Sequence, residues 1–150
     1  MANLNPKFRL VLCGDGELRP LVEKFCHDNA WASYEGPLFG VEKARAFVKS
    51  CLLLIPGRVG LVAVDSLVSG VPIVTTDNDL HAPEFEYLTP GRTCFVSQDS
   101  TDSYAATILD LLRDKLAVAQ ASRSCVHDSH HFSAESMAAR FASGIAAALS

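Results

Sequence analysis

The first part of the chain alternates between short apolar runs and segments with helical spacing. An apolar run covers residues 8–13 and stops at Gly14-Asp15-Gly16. Apolar side chains then recur every three or four residues, at Leu18, Leu21, Val22 and Phe25. Short apolar runs closed by glycine are typical of strands, whereas this spacing places side chains on one face of a helix. The pattern predicts a strand, a glycine turn and a helix.

The same order repeats in the next segment. A weaker strand is predicted for residues 32–34, before the turn Gly36-Pro37, and a helix for residues 41–49. On that helix Ala44, Phe47 and Val48 are expected to be buried, because they recur on one face.

The third repeat contains the most apolar strand. Residues 51–55 (Cys-Leu-Leu-Leu-Ile) are continuously apolar, as expected of a parallel strand covered on both faces, and Pro56-Gly57 closes the run. A helix is predicted for residues 60–69. Gly70 stands where a helix C-cap needs a left-handed residue, and residues 71–76 supply the next buried strand.

The last part begins with a long segment, residues 77–91, that has no clear periodicity and at most a helical turn at residues 84–88. Long loops in compact domains are often functional. Residues 93–96 are predicted as the last strand, and residues 99–102 offer N-cap residues for a helix. Its apolar face consists of Tyr104, Ile108, Leu111 and Leu112. A terminal helix begins near Ser133, with Met137, Phe141 and Ile145 on one face.

Strands alternating with helices predict an α/β fold with a Rossmann-like, doubly wound parallel sheet of about five strands and C-terminal helices. With 150 residues, the chain fits one globular domain. In open α/β sheets, ligands bind at the carboxyl ends of the strands. This rule selects the turns at residues 14–16, 36–38, 56–60 and 77–83.

Composition narrows the choice of partners and compartment. The formal net charge is -4 and the thirteen Lys and Arg residues are scattered, so nucleic acid is not an expected partner. The five cysteines are far apart and form no C-x-x-C pair, which suggests small core residues in a reducing compartment. The N-terminus has no signal-peptide pattern, and no apolar stretch is long enough for a transmembrane segment. We expect a soluble, cytoplasmic protein.

The strongest local chemistry lies at Pro56-Gly57-Arg58-Val59-Gly60-Leu61. Backbone N–H groups at the start of the following helix attract anions, and Gly57 and Gly60 would let a phosphate approach the backbone closely. Arg58 could add a charge-assisted contact, so a diphosphate would suit the site. The alternative is that the glycines only form a tight turn and Arg58 points into water.

Asp65 follows five residues after Gly60 and is a candidate acceptor for the vicinal hydroxyls of a ribose. Its alternative role is to stabilise the helix N-terminus through the helix dipole.

Three other groups of residues have weaker signals. Gly14-Asp15-Gly16 is a fragment of a dinucleotide fingerprint that fails at residue 19, and is more simply a turn that would open onto the ligand cleft. The loop containing His81 and Glu84 could do acid–base work. The residues resembling a metal cluster are better explained by a solvated loop between helices, so no metal is assigned; they are Cys125, His127, Asp128, His130 and His131. No signature of nucleophilic catalysis is present, and no catalytic residue is assigned.

The order of three segments carries a family resemblance: residues 10–18, residues 34–38, and the stretch from Pro56 to Pro72-Ile73-Val74-Thr75. Together they resemble the C-terminal, donor-binding domain of a group 1 (family 4) glycosyltransferase of the GT-B fold. Residues 132–137, before the final amphipathic helix, resemble the end of such proteins. The likeness therefore covers nearly all of the chain.

The resemblance implies retaining transfer of a sugar from a nucleotide-diphosphate sugar donor to an acceptor glycan, lipid or small molecule, without a required metal or other cofactor, as in polysaccharide biosynthesis. In the family's E-x7-E motif the second acid holds the donor ribose, and that position falls on Asp65. The first acid, which holds the donor sugar, falls on Gly57. The amides of Gly60 and Leu61 would meet the diphosphate, and main chain near Leu38 would contact the base.

The resemblance also implies that two parts of the family pattern are missing from this chain. These are the first β-α unit of the donor domain and the separate N-terminal acceptor-binding domain, so the chain alone is expected to be inactive. Two other functions stay open: a nucleotide-sugar epimerase of the same fold, and a non-catalytic α/β interaction module, which Gly57 favours.

Overall fold

The computed structural model describes residues 7–149. The chain divides into two compact units, one up to Arg45 and one from Ala46 onward. In the first unit, strand β1 (Leu10–Cys13) is followed by helix α1 (Arg19–Asp28) and strand β2 (Ala32–Gly36). The two strands are parallel, with Leu10 opposite Ala32. Helix α2 (Gly40–Val48) comes next.

The second unit contains a three-stranded parallel sheet in the order β3 (Leu53–Leu54), β4 (Ile73–Thr76), β5 (Cys94–Ser97). Helix α3 (Val62–Ser69) connects the first two strands, and a 3-10 helix at Pro83–Tyr87 precedes the third. Three helices follow: α4 (Thr101–Arg113), α5 (Lys115–Ser129) and, after a short 3-10 helix, α6 (Ala134–Ala148). The predicted α/β class, with parallel strands and C-terminal helices, is confirmed.

The core of the second unit forms between the sheet and helices α3 and α5. Its buried residues are Val59, Ala63, Leu67, Ile73, Leu88, Cys94 and Cys125. All four residues of β4 are buried, as predicted for a strand covered on both faces. Ser66 is also buried, and its hydroxyl donates to the Val71 carbonyl over 2.6 Å, so the polar group is satisfied inside the core.

Local sequence signals correctly predicted the C-terminal end of α3 and the N-terminal ends of α4 and α6. Gly70 is in the left-handed region, with φ 66°, and its N–H bonds to carbonyls of the last turn of α3. Ser100 caps α4 by accepting from the Ser103 N–H over 3.2 Å, and Ser133 caps α6 by accepting from the Ser136 N–H over 3.1 Å.

Three expectations about burial are wrong. On α2, Ala44 and Val48 are exposed and only Phe47 is half-buried, because this helix makes no extensive contact with another described element. Strand β3 spans only two residues and is half-buried, because it lies at the edge of the three-stranded sheet. Of the cysteines, Cys13 and Cys51 are exposed rather than in the core.

The segment expected to be a solvated loop near residues 125–131 is helical. Cys125 and Asp128 belong to α5, and His130 begins a short 3-10 helix. Cys125 is fully buried, because α5 packs against α3 and turns this side chain into the core. Tertiary packing therefore overrides the weak apolar periodicity of this segment.

Candidate functional site

The turn that joins β3 to α3 is anchored to the end of β4 by two threonine hydroxyls. Thr76 Oγ1 donates to the Pro56 carbonyl over 2.8 Å, and Thr75 Oγ1 donates to the Gly57 carbonyl over 3.4 Å. Both threonine residues are buried. Asn78 Nδ2 donates in turn to Thr76 Oγ1 over 2.9 Å. The first half of the turn is therefore tied to the carboxyl end of the neighbouring strand.

Sequence reasoning missed these threonines and Asn78. The only signal was a pair of hydroxyl side chains at the end of an apolar strand, in Val71-Pro72-Ile73-Val74-Thr75-Thr76. Threonine is common in strands for its branched side chain alone, so this signal does not reveal a partner twenty residues away.

The second half of the turn is held by two consecutive residues of the loop after β4. The Val59 N–H donates to His81 Nδ1 over 3.2 Å, and the Val59 carbonyl accepts from the Ala82 N–H over 2.9 Å. Val59 itself is fully buried. Both backbone groups of this residue are thus satisfied and its side chain is fixed in the core.

Three consecutive amides at the start of α3 remain open. The N–H groups of Gly60, Leu61 and Val62 bond to no acceptor among residues 7–149. The Leu61 side chain is exposed, and no side chain caps the helix. Unpaired N–H groups at a helix N-terminus carry partial positive charge and suit an anion.

The charged residues beside these amides are placed as follows. Arg58 is exposed and forms no hydrogen bond or ion pair within the described part of the chain. Asp65 lies half-buried in the first turn of α3. Gly57 is exposed and, as a glycine, supplies no carboxylate at this position. A Cβ added there would meet no atom within 4 Å, so the space beside it is open. The turn therefore combines amide donors, a cation and a carboxylate.

The other two predicted binding residues belong to the first unit. Gly14, with φ 132°, lies at the end of β1, where its N–H donates to the Gly36 carbonyl over 2.9 Å and its carbonyl accepts from the Tyr34 hydroxyl over 2.6 Å. It lines a pocket of about 410 Å³, formed by residues 12–19 with Val22 and Tyr34.

Leu38 is half-buried in the turn between β2 and α2. Its backbone forms no hydrogen bond with other described residues. The main chain there can offer a donor and an acceptor to a ligand.

His81 lies on the wall of a pocket of about 420 Å³ in the second unit, together with Thr76, Asp77, Asn78, Asp79, Phe85, Pro90 and Val96. Its Nδ1 accepts from Val59, and its Nε2 lies 3.0 Å from the Thr76 carbonyl. Both ring nitrogens are therefore engaged within the protein. The suggested acid–base role for His81 is not supported by this geometry, since neither nitrogen is open to a substrate.

The buried thiols have no arrangement suited to nucleophilic attack. Burial raises the pKa of Cys94 to about 12 and that of Cys125 to about 11, so both remain protonated near neutral pH. Cys125 Sγ donates to the Thr93 carbonyl over 3.4 Å. Within residues 7–149, no three His, Cys, Asp or Glu side chains are grouped to hold a metal ion. Over the same residues, the longest apolar helix falls short of a membrane span.

Comparison with known families gives one match. The sequence model described as "Glycosyl transferases group 1" matches residues 1–114. No curated protein matches the chain significantly.

Solved structures resemble the fold at low sequence identity. Sucrose-phosphate synthase from Thermosynechococcus elongatus shares 15% identity, with a TM-score of 0.75, over 98% of this chain and 40% of its own. Anabaena HepE in complex with UDP shares 18% identity, with a TM-score of 0.71, over 95% of this chain and 42% of the HepE chain. The pneumococcal O-GlcNAc transferase GtfA in complex with UDP and GlcNAc shares 14% identity, with a TM-score of 0.72, over 94% of this chain and 29% of the GtfA chain. This chain thus spans less than half the length of these proteins.

Proposed function

Because the chain belongs to the group 1 glycosyltransferases and has the fold of a GT-B domain, we propose that it binds the nucleotide-diphosphate sugar donor of a retaining glycosyltransferase. The observation that carries this proposal is the run of open amides at Gly60, Leu61 and Val62, within the family match. A diphosphate satisfies such donors and is favoured by the helix dipole.

In this proposal each predicted residue has one role. The amides of Gly60 and Leu61 bind the diphosphate, Arg58 adds a charged contact, and Asp65 accepts hydrogen bonds from the ribose hydroxyls. The unpaired main chain of Leu38 contacts the base. Gly14, whose N–H and carbonyl are already bonded to Gly36 and Tyr34, shapes the β1 turn and leaves the pocket beside it open. Several solved neighbours were determined with UDP or UDP-glucose, so uridine nucleotides are the first ligands to test.

Sugar transfer is assigned to the assembled enzyme rather than to this chain alone. The neighbours are more than twice as long as the segment they share with this chain, which is consistent with a separate acceptor-binding domain. We propose an acceptor glycan, lipid or small molecule and a cytoplasmic role in polysaccharide synthesis. Transfer needs no resident cofactor in this scheme, because the donor carries its own leaving group.

One observation favours a second candidate, a non-catalytic binding module. Gly57 occupies the position where the resemblance expects the carboxylate that holds the donor sugar, and it leaves that space open. A module of this kind would bind the nucleotide but would not distinguish the sugar-bearing donor from the nucleoside diphosphate.

Amide chemical shifts test the proposal on the 150-residue chain. UDP, UDP-glucose, GDP, ADP and inorganic pyrophosphate are titrated separately while the backbone amides are followed. We expect saturable shifts at Gly60, Leu61, Val62 and Asp65 with at least one nucleotide, and smaller shifts with pyrophosphate alone. Unchanged shifts at these four residues with every nucleotide would contradict donor binding. Equal affinity for UDP and UDP-glucose would favour the second candidate.

A further inference from the structure

His81 connects the turn before α3 to the end of β4 through both ring nitrogens. Nδ1 lies 3.2 Å from the Val59 amide nitrogen, and Nε2 lies 3.0 Å from the Thr76 carbonyl oxygen. Val59 immediately precedes the open amides of Gly60, Leu61 and Val62. The imidazole thus contacts the residue immediately before the amides proposed to bind the diphosphate.

The two partners select one tautomer of His81. An amide N–H can only donate, so Nδ1 must accept and carry no proton. A carbonyl oxygen can only accept, so Nε2 must carry the proton and donate. The ring that satisfies both neighbours is neutral and protonated at Nε2.

The surrounding residues restrict the movement of this ring. Phe85 stacks on it, with ring centroids 4.1 Å apart and an interplanar angle of 21°. The adjacent residue, Ala82, donates its N–H to the Val59 carbonyl, and its Cβ stands 3.9 Å from where a Cβ on Gly60 would lie. Tilting the imidazole out of this orientation would therefore disrupt its stacking on Phe85.

We propose that His81 is a positioning residue of the donor site, which binds the Val59 N–H through Nδ1 and so aligns the following three amides on the diphosphate. The inference deepens the proposed function and rests on it. Without the imidazole, the Val59 N–H would lose its acceptor and compete for the anion or turn towards water. In either case the turn would no longer hold the amides of Gly60 to Val62 in one fixed direction.

Two substitutions of His81 distinguish a role in positioning the turn from a role in packing alone. In His81→Asn, Oδ1 is attached to Cγ as Nδ1 is in histidine, so it can replace the acceptor for Val59. In His81→Gln, the amide reaches the position of Nε2 and can preserve the contact with Thr76, but not the one with Val59. His131→Gln is the matched control, because His131 is exposed and forms no hydrogen bond with the described residues.

The first measurement is ligand-free. Long-range 1H–15N correlation of the imidazole nitrogens should show an unprotonated Nδ1 in His81, and hydrogen exchange should show a protected Val59 amide. The Val59 amide should remain protected in His81→Asn and exchange faster in His81→Gln. A proton on Nδ1 in the wild-type protein would overturn the inference.

The second measurement is UDP affinity, determined by titration of proteins whose amide spectra confirm folding. We expect His81→Gln to weaken UDP binding about tenfold, and His81→Asn to stay within about threefold of wild type, since one buried donor loses or keeps its partner. His131→Gln should match wild type. If wild type binds UDP and the two His81 variants bind it equally well, the inference is wrong but donor binding stands. If wild type shows no shift at the turn, donor binding fails and the positioning role fails with it.

Discussion

Arg92 and Asp128, thirty-six residues apart, form an ion pair through two hydrogen bonds. Arg92 Nη2 donates to Asp128 Oδ1 over 2.7 Å, and Arg92 Nε donates to Oδ2 over 3.1 Å. The pair connects the loop before β5 to helix α5, whose Cys125 lies in the core. Such a bidentate pair stabilises the charged carboxylate more strongly than a single hydrogen bond does.

The pH dependence of stability should reveal this pair. Hydrogen bonding from Arg92, followed by that from His127, lowers the pKa of Asp128 from its ordinary 3.8 to about 2. A lowered folded-state pKa stabilises the fold above pH 3.8, and this contribution is lost as the pH falls towards 2. Asp128→Asn should therefore lower the Tm by a few degrees at pH 7, about 2–4 °C, and by progressively less below pH 4.

Asp110→Asn is the control for that experiment. Asp110 pairs with Arg113 within one helix at 3.2 Å, and both side chains are highly exposed. Its effect on the Tm should be small at every pH. Equal Tm changes for the two variants at pH 7 would contradict a special role for the Arg92–Asp128 pair.

Alanine substitutions at Gly70 and Gly91 distinguish the cost of a positive φ from the cost of a steric clash. Both have positive φ, 66° and 75°. A Cβ on Gly70 would lie 2.9 Å from Val126 Cγ2, whereas a Cβ on Gly91 would meet nothing within 4 Å. Gly91→Ala should lower the free energy of unfolding by about 1–2 kcal/mol and Gly70→Ala by about 2–3 kcal/mol, measured by urea unfolding. Adding Val126→Ala should recover part of the stability lost in Gly70→Ala. If the stability changes of the two substitutions simply add, the clash between residue 70 and Val126 is absent.

Asp65→Asn tests the ribose contact. Removing the charge should weaken UDP binding about 5- to 20-fold, because a charged acceptor is lost, and should leave pyrophosphate binding unchanged or slightly improved. Asp102 is the matched control, since it also lies in the first turn of a helix. Asp65→Asn and Asp102→Asn should both lose helix-dipole stabilisation of about 0.3–1 kcal/mol, but only Asp65→Asn should change UDP affinity. Equal loss of affinity for UDP and pyrophosphate would contradict ribose recognition.

Arg58→Ala tests the phosphate contact. We expect affinity for UDP and for pyrophosphate to fall by about three- to tenfold at low salt, and the difference from wild type to shrink as salt is added. Arg123→Ala removes the same charge from an exposed arginine that also forms no bond with residues 7–149. If Arg123→Ala has the same effect, the loss reflects net charge and not a contact at the turn.

Gly57→Glu tests whether the turn can select the sugar. The position has open space and an ordinary backbone conformation, so the variant should fold with a stability change within about 0.5 kcal/mol. A carboxylate there should repel UDP alone but hydrogen-bond to sugar hydroxyls, and the ratio of UDP-glucose to UDP affinity should rise about threefold or more. Gly144→Glu adds the same charge on α6 and should leave the ratio unchanged. A falling ratio for Gly57→Glu would count against sugar recognition at this position.

Several features of the fold followed from residues close together in sequence. Glycine turns after apolar runs marked the strand ends, and Gly70, Ser100 and Ser133 marked helix ends, because each acts on backbone groups within a few positions. Parallel pairing followed from the alternation of strands and helices. The open amides of Gly60, Leu61 and Val62 were expected for the same reason, since N–H groups at the start of a helix lack an intrahelical partner. Binding of an anion there stays a prediction.

Which helical faces are buried could not be predicted from the same patterns. Val48 shares a helical face with apolar neighbours yet is 78% exposed, whereas Cys125 has no clear apolar periodicity around it and is completely buried. A hydrophobic spacing defines a face of a helix, but contact with another element decides whether that face is covered.

The sequence by itself determined the α/β class, the order of the elements apart from α5, and the turn from Pro56 to Gly60, because these depend on local backbone preferences and hydrophobic spacing. Only the tertiary structure decided that His81, twenty-two residues from Val59, accepts its amide proton, and that Thr76 holds the Pro56 carbonyl. These contacts join residues that are distant along the chain and become adjacent only when the β3 turn, β4 and the loop after β4 pack together. A hydrogen bond depends on distance and direction in space, and neither is encoded in the spacing of one segment.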